Sequence, residues 1–255
     1  MARDFQNKLI LILILFIVIT IELGIFVFFP PNGLDGKSID NYAEKIIDIC
    51  RNNSGYSLKS TCYDSEIPKF MDKLSMEEAF KVTKLIRKQD PEYQYCHTLG
   101  HRLSAKEYKK DPSEWKDILT RCPSDQCSNG CLHGALLEKF NDESLKDEQI
   151  NQILPDLKEV CEPRKGWNPS RVEMLMCYHS FGHLNMFMTD ADIPKSISLC
   201  EKEGNNNREN IELCIQGIYM EIFQHLEPED VALVKGITPP KEKVFDFCNQ
   251  FIGPY

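Results

Sequence analysis

The apolar and polar positions of the chain open with one long uniform run and then break into short amphipathic stretches. Leu9 to Phe29 is apolar except at Thr20, Glu22 and Gly24, a run of 21 residues. A helix rising ~1.5 Å per residue needs about 20 residues to cross a ~30 Å hydrocarbon core. The run ends in Phe28-Phe29-Pro30-Pro31 and offers no small-residue cleavage site, so it predicts an uncleaved membrane anchor. Arg3 and Lys8 precede it, and Asp35 and Asp40 follow it with Lys37. That bias places a tip of residues 1–8 in the cytoplasm and everything after Pro30 outside, beginning with a linker over 30–39. Glu22 is costly there, roughly 3 kcal/mol at the centre of a span, so it is either a tolerated protonated residue or a contact to a partner helix.

Beyond the anchor the periodicity is helical, and alternating β-branched runs of strand type are nearly absent. The expected class is all-α. Residues 40–89 form an N-terminal helical segment, with Tyr42–Ile49 running into Cys50 and a further helix at about 75–89. The rest repeats itself. His97, Gly100 and His101 recur as His179, Gly182 and His183 at an offset of 82. Cys131-Leu132-His133-Gly134 with Glu138 recurs as Cys214-Ile215-Gln216-Gly217 with Glu221 at an offset of 83. Cys122 and Cys200 each close an amphipathic segment, as do Cys161 and Cys248. Two duplicated helical modules, 90–165 and 168–251, follow from this. Each reads as four helices, the first starting at Asp90-Pro91 or Asn168-Pro169, where a capping residue precedes proline. Asp111-Pro112-Ser113-Glu114 has a capping-box-like spacing for the next helix.

Eleven cysteines, all after residue 49, change the picture further. Outside the cytoplasm that density predicts a disulfide framework, and the odd number predicts a thiol left over. Staples across interhelical loops favour Cys122–Cys131 and Cys200–Cys214, then Cys161–Cys177 and Cys50–Cys62, with Cys96, Cys127 and Cys248 unassigned. The spacing of 39 from Cys122 to Cys161 and again to Cys200 is similar to that of Sel1-like helical-hairpin repeats, but the small-residue pattern of that family is missing. Net charge is −9 without a basic block in the ectodomain, so there is no sign of a nucleic-acid or anionic-lipid surface.

The candidate chemistry lies in the histidines. Residues four apart share a helix face, so His97/His101 and His179/His183 each form a two-imidazole claw suited to one metal ion. Gly100 and Gly182 leave room inside the claws for another helix or a ligand. Met176, Met186 and Asp190 extend the second face; Gln94, Ser104 and Tyr108 take the matching places in the first. Imidazole with thioether suits copper, zinc and iron are alternatives, and a bis-histidine pocket would suit haem. Glu138 and Glu221 are the matched carboxylates; His133, opposed by Gln216, is a further candidate metal ligand that with Cys127 and Cys131 could form part of a zinc site, but it is expected to point away from Glu138 and to mark the more exposed side. No Cys-x-x-Cys-His, His-Glu-x-x-His, Gly-x-Ser-x-Gly or phosphate loop is present.

Three functions compete on these grounds. The first is a tethered metal- or haem-binding domain for storage, delivery or electron transfer. The second is a helical-repeat scaffold for a protein partner at the membrane surface, with histidines that only hold helices in register. The third is a membrane-tethered metalloenzyme using His97, His101, His179 and His183 as ligands and Glu138 or Glu221 as acid–base.

Overall fold

The computed structural model describes residues 36–251 apart from 125, 141–144 and 225–226. The apolar run Leu9–Phe29 with Glu22, and residues 1–8 expected to form a cytoplasmic tip, lie outside this range; among the described residues no helix is long and apolar enough to cross a membrane. The chain divides into two compact units, 1–39 and 40–255, and of the first only 36–39 are described, as the opening turn of a helix.

Helix alone builds the described chain, with one isolated β-bridge between Arg164 and Trp167. α1 spans Gly36–Cys50, so helix begins inside the expected linker, and α2 (Tyr56–Glu66) runs into a 3-10 turn over Ile67–Asp72. α3 (Met76–Gln89) opens on a capping box in which Ser75 and Glu78 satisfy each other's backbone N–H groups. Then come α4 (His97–Lys110), α5 (Trp115–Arg121), α6 (Gly130–Phe140) and α7 (Asp147–Val160). The last five are α8 (Arg171–Met188), α9 (Ile193–Glu203), α10 (Arg208–Phe223), α11 (Pro228–Leu233) and α12 (Val244–Asn249).

Asp90-Pro91 does not start the first histidine helix. Asp90 accepts hydrogen bonds from Lys59 Nζ at 2.7 Å and Tyr63 Oη at 2.6 Å, and its carboxylate is used up in this buried cluster. Residues 91–96 stay irregular, and α4 begins at His97, where Cys96 is bridged to Cys127. α8 likewise starts at Arg171, because Ser170 and Glu173 make a capping box that Asn168 has no partner for. Asp111 caps only a 3-10 turn over Pro112–Glu114, through the Ser113 N–H.

Five disulfides pin the helices: Cys50–Cys62, Cys96–Cys127, Cys122–Cys131, Cys161–Cys177 and Cys200–Cys214. Cys248 keeps its thiol.

The site is positioned by a row of four helices in which α4 packs on α6, α6 on α8, and α8 on α10. Glycines set the closest approaches. A Cβ on Gly130 would lie 2.1 Å from the His97 carbonyl oxygen, and one on Gly217 would lie 2.2 Å from that of His179. The facing residues are also glycine: a Cβ on Gly100 would meet Cys131 N at 2.8 Å, and one on Gly182 would meet Cys214 O at 2.0 Å. Gly100 and Gly182 therefore admit a helix, not a ligand. Backbones this close bring short-stemmed side chains of neighbouring helices into contact.

Candidate metal centre

Because α6 lies between the two histidine helices, His133 on it meets both. Its ring centroid is 4.7 Å from that of His97, 5.5 Å from His101, 5.6 Å from His179 and 5.2 Å from His183. His133 is 2 % exposed. It marks the middle of the cluster and not its exposed side. The residue stands between Gly130 and Gly134, on the part of α6 that is buried throughout, which its five-residue separation from Glu138 does not reveal.

Each claw is closed. His97 Nε2 and His101 Nε2 are 3.0 Å apart, and His183 Nε2 and His179 Nε2 are 3.3 Å apart. The tautomers follow from the other ring nitrogens. His97 Nδ1 lies 3.2 Å from the Ser128 carbonyl, and His101 Nδ1 lies 3.3 Å from Glu227 Oε2. Carbonyl and carboxylate oxygens accept only, so both Nδ1 atoms carry hydrogen and both Nε2 atoms of a neutral pair present lone pairs. Two lone pairs aimed at each other at 3.0 Å repel unless a cation lies between them. Two metal–nitrogen bonds of ~2.1 Å, meeting at octahedral or tetrahedral angles, separate their nitrogens by about 3.0–3.4 Å.

A shared proton is the other cation that could sit there, and burial works against it. Desolvation, with the nearby His101 and His183, pushes His97 down to about 3. Burial also takes His179 to about 4 and lowers His133 and His183. The Asp230 charge acts in the opposite sense on His183, and the neutral ring's Nδ1–H suffices to donate the 2.6 Å bond that Glu221 Oε2 accepts. One nitrogen from each of His97, His101 and His133 lies within 4.8 Å of the others, a set that could hold a metal ion.

The expected carboxylates part ways. Glu138 pairs with Lys109 Nζ at 2.8 Å, whereas Glu221 orients His183. For His101 that role falls to Glu227, which the sequence did not single out. Its one local signal is the Glu-Pro step that opens α11, where the Glu227 backbone N–H donates to Asp230 Oδ2 at 2.9 Å. Burial alone would raise the Glu227 carboxyl, but the hydrogen bond from His101, with the charge and hydrogen bond of Arg102, holds it below the usual range. A metal-bound imidazole commonly gives its second N–H to a carboxylate or backbone carbonyl, and the claws show both arrangements.

Ser128 sits in a loop built for its task. Cys127, Ser128 and Asn129 all have positive φ, at 52°, 48° and 60°, a conformation that side-chain-bearing residues adopt only under constraint. The Cys96–Cys127 and Cys122–Cys131 bridges supply it. Of the softer face, Met186 is buried while Asp190 lies beyond the end of α8 and is exposed. Ser104 Oγ bonds the Gly100 and His101 carbonyls, a structural use. A second group, Cys200, Glu203 and Cys214, is also close-set, but its sulfurs are joined as a disulfide and are not thiolates.

A cleft of about 290 Å³ reaches the exposed edge of His101, with Glu138, Glu227 and Asp230 on its walls. Comparison with protein-family models, with curated proteins and with solved structures finds no match, so what this chain does is argued from its own geometry.

Proposed function

We propose that the chain binds a transition-metal ion through His97, His101 and His133, as the extracytoplasmic domain of a single-pass membrane protein that stores, delivers or passes electrons through that ion. The carrying observation is the 3.0 Å approach of two Nε2 atoms whose Nδ1 partners are already committed to acceptors. A merely structural histidine pair would direct its nitrogens to donors, and this pair directs them to one point. The i, i+4 spacing makes them adjacent ligands of one ion. Haem would need its two axial histidines on opposite faces of the macrocycle, so the geometry favours a bare ion.

The location rests on two supports. Five disulfides suit an oxidising compartment, and the run Leu9–Phe29 has the length and apolarity of an anchor. In both halves a glycine of the histidine helix crosses a glycine of the next long helix, Gly100 with Gly130 and Gly182 with Gly217, which supports reading 90–165 and 168–251 as copies of one module, although the repeat pairs Gly217 with Gly134, one turn further along α6.

The test is metal analysis of the full chain in detergent after loading with zinc(II) or copper(II) and removal of excess ion. At least one tightly held equivalent is expected, falling when His97→Ala and His101→Ala are combined. Retention no better than that of the double variant would end the reading.

A further inference from the structure

The second histidine pair is assembled with the same care as the first, yet a single ion at His97 and His101 leaves it idle. His179 Nε2 and His183 Nε2 converge to 3.3 Å. His183 Nδ1 donates to Glu221 Oε2 at 2.6 Å, so its Nε2 is the nitrogen with the lone pair. His179 is hydrogen-bonded to the Leu213 backbone.

His133 supplies the independent observation. Both its Nδ1 and its Nε2 are buried without a hydrogen-bond partner among the described residues. Burying an imidazole with neither nitrogen paired forfeits two hydrogen bonds that water would provide. One ion would take one of these nitrogens and leave the other orphaned. Two ions, one in each claw, would take both; the ring centroid lies 4.7 and 5.5 Å from those of the first pair and 5.6 and 5.2 Å from those of the second, and the nitrogens of the first set are the closer grouped.

We propose that His179 and His183 form a second metal site and that His133 bridges the two ions as an imidazolate. Loading the second ion displaces the one N–H proton of His133 to solvent, and no oxidation state changes. With metal–nitrogen bonds of ~2.0–2.1 Å on either side of the ring, the ions stand on the order of 6 Å apart. Glu221 positions His183 and does not bind the ion. The proposal shares His133 with the first site but can fail without it.

The experiment is copper(II) titration of the full chain in detergent, read by metal content and by electron paramagnetic resonance. Two equivalents are expected, with the spin signal of the doubly loaded protein suppressed by coupling through the bridge. His179→Ala should retain one equivalent with an ordinary uncoupled signal, and His133→Gln should abolish the coupling. Saturation at one equivalent overturns the second site while leaving the first. A single equivalent lost equally in His97→Ala and His179→Ala would show one shared centre and also overturn it. Two equivalents with full uncoupled spin would remove the bridge, and no binding at all would remove both sites.

Discussion

His101 draws its support from far along the chain, and His183 from the helix packed against its own. Glu227 is 126 residues from His101 and meets it at 3.3 Å, with the two side chains 22 % and 13 % exposed. Glu221 on α10 meets His183 at 2.6 Å, and these side chains are only 4 % and 9 % exposed. The helix starts differ in the same sense. α8 is capped by its own Ser170 and Glu173, whereas α4 has no side-chain cap and is fixed at Cys96 by a disulfide to a strained loop. One spacing of histidines can thus be held by local packing or by remote covalent and ionic ties. Each pair has one buried member, His97 or His183, and one half-buried member, and His101 borders the cleft of about 290 Å³.

The glycine crossings give the largest expected difference. Overpacking a tight contact costs about 1–3 kcal/mol and sometimes more. Gly182→Ala places a Cβ 2.0 Å from Cys214 O and 2.5 Å from Ile218 N, while Gly100→Ala comes no closer than 2.8 Å. Gly182→Ala should therefore lower stability by about 3 kcal/mol or more, and Gly100→Ala by visibly less. Chemical denaturation of the two metal-free variants checks this. Equal losses would show that the two crossings are not packed differently.

Next come the carboxylates. Removing the partner of a ligating histidine typically costs 10- to 100-fold in metal affinity. Glu221→Gln should approach the upper part of that range for the His179/His183 pair, because its bond is short and shielded from water. Glu227→Gln should fall near the lower end for the other pair. Competition titration with a chromophoric chelator measures both, and the reverse order would contradict the account of the two supports.

The smallest effect concerns two buried acids, one in each region. Burial raises Glu203 to about 8, with Asn185, Lys202 and Lys158 opposing it; burial raises Asp64 to about 6, opposed by Tyr93 and Arg102. A raised carboxyl binds its proton more tightly in the folded state. Its contribution is complete below the unfolded value and is lost as pH rises to the folded one. Glu203 thus erodes stability between about pH 4.5 and 8, and Asp64 between about pH 3.8 and 6. The depressed His97 and His179 act oppositely: their contribution is present above about 6.5 and is lost as pH falls towards 3–4. The metal-free protein should lose stability on acidification from pH 6.5, and Glu203→Gln should flatten the alkaline limb by a few degrees in Tm. Thermal melts from pH 4 to 8 would show it, and an unchanged alkaline slope in Glu203→Gln would refute the assignment.

Helical class was legible because it depends on local periodicity, and both claws because four-residue spacing fixes a helix face. Bridges that span one interhelical loop, such as Cys200–Cys214, are legible for a similar reason. Cys96–Cys127 reaches over two helices, α4 and α5, and nothing local announces it. α2 is hard to read from Tyr56–Glu66 because that stretch has little amphipathic contrast. The placement of His133 was misjudged because which face of α6 turns inward depends on how three helices pack, and only the glycines hinted at that. Glu227 belongs to a contact 126 residues long, beyond the reach of any pattern in one chain.

The Cys96–Cys127 bridge has a consequence in time. It joins the residue before His97 to the residue before Ser128, the carbonyl that sets the tautomer of His97. On the proposed reading, a chain in which that bond is still open would have its histidines but not the covalent tie that holds the left-handed loop beside His97. Metal uptake would then trail oxidative folding. A pulse of reduced, newly made chain would stay empty first and fill later, so that a loaded site records a completed maturation.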